Sequence, residues 1–429
     1  MGKFISLGEY NKLYKYIWIY TIIRFISLFI FDYELVFDQL YYEPMILPYS
    51  PFINLQIDYL VFIIISLILI IIEKYKTNKE LTQDLIESQL IYNEPNILQE
   101  FGISKKDYFL FINLFFVVVI DIADSIFAQF GFNVLYYWMV EMLFFEIFNI
   151  KILKNNIYNH HIFSFIFIFC SCSIIKTIII ILNFVNETKK VSIFEGKKWL
   201  IPIALIVYFL IQLFKGYVYC NEKYYLDKRY IRINSYLLLY GIFGFISLSI
   251  CATISSYVPC GDNTLPELSK KVCEYKGNDD IYYFDSYSIY IKNFSSNSLG
   301  LRIPLKIIES IFSYASNYYI YAIYKKLNPI YHICMKRLNF VVLNLLSLFN
   351  DLFNNNYQSL SLTLSILDIS LTIFYLFGSL VYLEFIELHF CNLDFYIRRK
   401  INERATSEDI RALDNVSTSS EDSYKIVED

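Results

Sequence analysis

Histidine is scarce in this chain, with four in 429 residues. His160 and His161 are neighbours, while His332 and His389 stand apart. Neighbouring helical positions point about 100° apart, so the pair reads as two helix-end residues rather than as catalytic groups. There is no Cys-x-x-Cys pair and no His-Glu-x-x-His segment, so no metal site or cofactor is expected. A Gly-x-x-x-x-Gly-Lys-Ser/Thr loop is also missing, which speaks against ATP-driven pumping. Charged residues make up only 18% of the sequence, against about 25% in a typical soluble domain. The net charge of −4 is small, and the basic residues sit at the ends of apolar blocks rather than in one patch. No nucleic-acid partner is expected.

What the chain has is apolar sequence. Apolar residues make up 56% of it, and its mean hydropathy is +0.43. They gather into long blocks separated by short polar ones. The 40 Tyr and 39 Phe, with abundant Ile and Asn, read as AT-rich coding, so no single aromatic carries weight. A spanning helix needs roughly 20 mainly apolar residues. Ten segments stand out, at about 12–31, 57–73, 107–129, 133–150, 160–184, 199–219, 235–257, 301–323, 329–349 and 361–387. The first has no small-residue cleavage site and reads as a retained signal anchor. The eighth, with Lys306 and Glu309, and the ninth, with Lys336 and Arg337, are the weakest. Met1-Gly2 with Ser6 fits an N-myristoylation pattern, with an ordinary cytosolic N-terminus as the alternative.

Loop charge sets the orientation. The loop after the first segment holds Asp32, Glu34, Asp38 and Glu43 without Lys or Arg, and is expected outside. Lys74, Lys76, Lys79, Lys105 and Lys106 follow the second segment, and Lys151 with Lys154 follow the fourth. The alternation continues to Arg398, Arg399 and Lys400, which puts both termini in the cytosol. Lys189, Lys190, Lys197 and Lys198 argue against it. The sequons at Asn186 and Asn293 fall in expected outer loops. Cys260 and Cys273 share the long outer loop 258–300, where a disulfide between them is expected. Residues 391–429 read as a disordered cytosolic tail, with Ser417 to Ser423 open to phosphorylation.

Ten spans divide into five and five, and an odd-span repeat must be inverted. Asp124-Ser125-Ile126-Phe127 in the third segment matches Glu309-Ser310-Ile311-Phe312 in the eighth, its counterpart five later. The expected fold is all-α and polytopic. Its halves are 1–185 and 186–390, each with five transmembrane helices.

Several stretches resemble the drug/metabolite transporter superfamily, in particular the solute-carrier branch that includes the nucleotide-sugar transporters. They are the hairpin from Asp121 to Gly131 with Tyr136, Trp138 and Glu141, and the basic link Lys151 to Lys154 leading to Asn159-His160. Asn221-Glu222-Lys223-Tyr224, Leu237 to Phe245 and Asn328-Pro329 add to the likeness, which covers roughly 107–345. The long loop with Cys260 and Cys273 is similar to that of vacuolar members resembling the chloroquine-resistance transporter. The resemblance implies ten helices, cytosolic termini and carriage of nucleotide sugars, organic anions, amines or small metabolites. No substrate-defining motif is present.

A charge inside the bilayer costs roughly 2.5–3.5 kcal/mol on insertion scales, so it is retained where it pairs or lines a polar path. Arg24, Asp121, Asp124, Glu141, Glu146, Lys176, Glu309, Lys336 and Asp368 stand in apolar segments. Asp121 and Asp124 share a helical face, which suits a proton relay or a cation site. The alternative pairs each with Arg24 or Lys176. Glu141 is preferred over Glu146, which reads as interfacial, and Glu384 and Glu387 read as solvated. Lys176 stands among isoleucines, as an anion contact or a counter-ion. His332 and Lys336 share a face that suits a phosphate or carboxylate, or forms an interfacial basic cluster. The expected function is secondary transport of a small polar or anionic metabolite by alternating access, coupled to protons or exchange. A membrane-embedded enzyme and a non-transporting scaffold or receptor-like protein are the rivals. Lipids and a small-molecule substrate are the expected partners, with homodimerisation open. The expected site is an endomembrane (Golgi, vacuole or lysosome-like) or the plasma membrane.

Overall fold

Long runs of Ile, Leu, Phe and Val leave the backbone polar groups with no water to bond. Such runs close their hydrogen bonds internally as helix. In the computed structural model, the described residues are 15–27, 51–88, 108–129, 137–154, 157–185, 200–228, 231–259, 275–276, 282–285, 287, 299–335, 359–389, 393 and 404. They form α1 (15–27), α2 (Pro51–Ser88), α3 (Tyr108–Gln129), α4 (Tyr137–Phe148), α5 (Asn159–Val185) and α6 (Leu200–Lys223). α7 (Ile233–Tyr257), α8 (Leu299–Lys326), α9 (Pro329–Met335) and α10 (Ser359–Tyr382) complete the set. The structure is helical, and each of the ten apolar segments overlaps one helix. The sequons at Asn186 and Asn293, the cysteines Cys260 and Cys273, Lys336 and the tail beyond Arg404 lie outside the described residues.

Several boundaries differ from the hydropathy reading. α2 continues well past residue 73, because Lys74 to Ser88 is rich in Lys, Glu, Gln and Leu, which are good helix formers without being apolar. α4 passes directly into a π turn, Asn149–Leu153, closed by Lys154 at φ 56°. A second π turn, Tyr224–Lys228, ends α6. The loop after α7 contains a short antiparallel ribbon, β1 (Tyr275–Lys276) with β2 (Tyr282–Tyr283), in the register Tyr275 to Tyr283. Sequence reading did not expect it.

The chain packs as two compact units, one of residues 12–154 and 187–339, the other of 1–11, 155–186 and 340–429. This division differs from a cut at residue 185. In the larger unit α2 lies along α7, α4 along α6, α3 against α6 and α7, and α8 against α2. α1 meets α8 through Tyr16 and Tyr319, and α9 through Tyr20 and His332. α4 also touches α9. In the smaller unit α5 packs on α10.

Glycine sets the closest approaches. A Cβ on Gly244 of α7 would lie 2.6 Å from the Tyr59 ring of α2, and one on Gly216 of α6 would lie 2.7 Å from the backbone nitrogen of Phe145 on α4. The polar residues sit inside. Tyr236, Ser235, Asn234 and Glu222 are buried, while Phe109, Ile112, Phe115 and Val119 of α3 and Ile246, Ile250 and Ile254 of α7 are exposed. These exposed residues recur every three or four positions, so they form apolar outer stripes. Two stretches among the described residues, Phe52–Tyr75 and Ile233–Tyr257, are long and apolar enough to cross a membrane.

Candidate functional site

Tyr236 and Tyr240 are four apart on α7 and so share a face. That face meets Tyr59 of α2, Asp121 of α3 and Glu222 of α6. Tyr59 donates to Asp121 Oδ2 at 2.6 Å, and Tyr240 donates to the same oxygen. The two phenol oxygens are 3.0 Å apart. Each phenol has a single proton, so the three oxygens form a compact triangle sharing two hydroxyl protons. One helical turn away, Glu222 Oε1 accepts from Tyr236 at 2.9 Å and from Tyr321 of α8 at 3.3 Å. Glu222 is 2% exposed. Asp121 and Glu222 are close enough to act on each other electrostatically.

The tyrosines continue in both directions. Tyr321 packs edge-on against Tyr236 and Tyr324, and the Tyr324 hydroxyl is 2.8 Å from His332 Nδ1 on α9. His332 also meets the Tyr20 ring of α1 edge-on, at 5.4 Å between centroids. The Glu141 carboxylate acts on both Tyr20 and Tyr324. Farther along α8, Tyr314 donates to Asn234, and Asn234 donates to Glu73 at 2.6 Å. Near the start of α8, Lys306 bridges Asp58 at 3.2 Å and Glu309 at 2.8 Å, and Ser310 donates to Asp58. The same end of α2 is capped by buried Asp285, which accepts from the Phe52 amide at 3.0 Å. Beside it, Tyr287 donates to Gln56, and burial pushes its phenol above the ordinary value. The result is a column of hydroxyl, carboxyl and imidazole groups running along much of α7 and α8.

The sequence-based candidates separate within this column. Asp121, Glu141 and His332 belong to it. His332 is buried against tyrosines, while Lys336, its expected neighbour, lies outside the described residues. Glu309 belongs to the Lys306 ion triad, and the charge of Arg24 acts on Glu309 and Tyr20. Glu146 is not interfacial: it is 3% exposed and accepts from Asn149 at 3.1 Å. Asp124, Lys176 and Asp368 are placed on α3, α5 and α10 by their backbones, and their side chains lie outside the described part. Sequence reading missed Glu222, Asp58 and every tyrosine of the column. The signal of the tyrosines was hydroxyls at helical spacing inside apolar segments, discounted as coding bias.

A column of this kind can bind a cation or a protonated group at Asp121 and Glu222, and each carboxyl can exchange protons with the tyrosine hydroxyls bonded to it. No protein-family model matches the chain, and no curated protein matches it.

Proposed function

We propose that the chain is a multi-pass secondary transporter of the drug/metabolite type, moving a small polar metabolite through the tyrosine and carboxylate column. The carrying observation is the placement of Asp121 and Glu222: a half-buried and a buried carboxyl, each held by tyrosine hydroxyls inside helices whose outer faces are apolar. Ionisable groups at such depth are expensive and are retained for ion or substrate pathways. Apolar residues outside and hydroxyls inside suit lipid around the unit and a polar path through it.

Helix pairing supports ten spans in two inverted halves. Exchanging each helix with the one five later maps α3 against α7 onto α8 against α2. It also maps α6 with its neighbours α3 and α4 onto α1 with its neighbours α8 and α9. The pairs α2 with α7, α4 with α9 and α5 with α10 map onto themselves. A five-plus-five repeat about a two-fold axis gives pairings of this kind, although α8 meets α9 more closely than α3 meets α4 among the described residues. In this reading Asp121 and Glu222 govern coupling, and the Lys306 triad holds helices together. The triad is also what a non-transporting bundle would contain, so function must be measured. Purified protein in liposomes loaded with a cell metabolite extract is expected to release a defined subset under a pH gradient. Asp121→Asn is expected to lower that release about ten- to a hundredfold, the scale of one charge-assisted hydrogen bond. Release that is indifferent to both the gradient and Asp121→Asn contradicts the coupling role.

A further inference from the structure

The smaller unit holds a group of residues that the column does not use. α5 begins at Asn159, so His160 and His161 fall in its first turn. α10 ends at Tyr382 and closes with two backbone bonds: Glu384 N–H to the Val381 carbonyl at 3.1 Å, and Phe385 N–H to the Leu380 carbonyl at 2.9 Å. These are the paired bonds of a Schellman cap, whose left-handed position is usually glycine. Here that position is Glu384, at φ 63°. The sequence keeps a carboxylate where the backbone favours no side chain, and such outliers gather at functional sites.

The side chain of Glu384 is not solvated. It is 6% exposed, and its Oε1 lies 3.5 Å from His160 Nε2. His160 is 2% exposed, and neither ring nitrogen has a hydrogen-bond partner among the described residues. A buried imidazole whose ring nitrogens make no hydrogen bond is costly unless something else binds them. The His161 ring lies 4.1 Å from that of His160 and stacks on Tyr382 at 4.3 Å. One ligand atom from each of His160, His161 and Glu384 fits within 4.8 Å of the others. Adjacency in sequence suggested divergent rings; the helix start and the Tyr382 stack turn them together.

Two imidazoles and one carboxylate form a donor set that suits zinc and its neighbours, with one position left for water. Bond lengths of about 2.0–2.2 Å around a tetrahedral ion put ligand atoms roughly 3.3 Å apart, so the three side chains need only draw in slightly. The contact of the Tyr158 amide with His161 Nδ1, at 3.4 Å, is long enough to yield to a metal or a changed tautomer. We propose that His160, His161 and Glu384 bind a divalent transition-metal ion of the zinc class, which ties the start of α5 to the end of α10.

The test uses the full chain in detergent, stripped with a chelator, and stands whether or not the chain transports. Zn²⁺ is titrated against a chromophoric chelator, and Co²⁺ by its visible absorption. The expected result is one equivalent bound, with a tetrahedral Co²⁺ spectrum and a zinc-dependent rise in melting temperature. His161→Ala and Glu384→Gly are each expected to weaken binding about 100-fold, at or beyond the upper end for a supporting group. Glu384→Gly installs the residue that the cap favours, so the metal-free variant should melt no lower than the parent. That separates loss of a ligand from loss of fold. Equal binding by the parent and both variants overturns the site, as does the absence of stoichiometric binding by the parent.

Discussion

Lys306 shows how a charge can sit inside an apolar helix. Asp58 and Glu309 flank it within salt-bridge distance, so the three groups neutralise one another in part and leave one net negative charge. Removing the cation alone leaves two half-buried carboxylates facing each other. Lys306→Met is therefore expected to destabilise the protein by about 3–5 kcal/mol, read as a fall in detergent melting temperature. Adding Asp58→Asn to that variant should restore part of the loss, and no restoration would show that the triad is not a coupled unit. At this scale the sequence was legible wherever a charge interrupted an apolar run, as at Asp121, Glu141 and Glu309. It was not legible where chemistry lay in an abundant residue type. With 40 tyrosines in the chain, only the folded face distinguishes Tyr59, Tyr236, Tyr240 and Tyr321 from Tyr257, which is 82% exposed. Glu222 stood just beyond the apolar block, so hydropathy left it in a loop, whereas α6 runs on to Lys223.

Among the elements, the pairing of α2 with α7 decides whether the column forms. Gly244 lets the Tyr59 ring lie against α7, and this contact aims the Tyr59 hydroxyl at Asp121. Gly244→Ala puts a methyl group 2.6 Å from that ring. Overpacking of this kind costs about 1–3 kcal/mol, and Tyr59 must turn away from Asp121. The single variant is expected to lower both melting temperature and metabolite release. Combined with Tyr59→Ala, it should add little further loss of stability, because the clash is gone. Additive losses would show that the glycine matters for some other reason. Hydropathy found the helices because each needs an apolar stripe, yet it misplaced ends where polar helix formers extend α2 and where a π turn continues α4 to Leu153. α8 was, with α9, among the least certain helices because Lys306 and Glu309 count as penalties in a window average. In the fold they lie three apart and bond to each other. The metal-site residues were invisible as a group, since Glu384 meets His160 only when α10 lies along α5.

Across the whole molecule, the proposal rests on polar groups inside, apolar stripes outside and a pairing scheme that survives exchange of helices five apart. Sequence reading argued for inverted halves from loop charge and one short match, and it had no means of seeing which helices pair. Alternating access makes a claim about these interior positions that needs no knowledge of the substrate. In a variant whose native cysteines are replaced, Tyr240→Cys and Tyr236→Cys place single thiols within the column. The measurement is their labelling by a membrane-impermeant maleimide applied separately to each face of oriented vesicles. The account predicts that Tyr240→Cys is labelled from both faces, at rates that shift in opposite directions when a transported metabolite pool is added. Tyr257→Cys should be labelled from one face only. If Tyr240→Cys and Tyr236→Cys are protected from both faces under all conditions while Tyr257→Cys reacts, the column is a sealed core and the transporter reading is wrong.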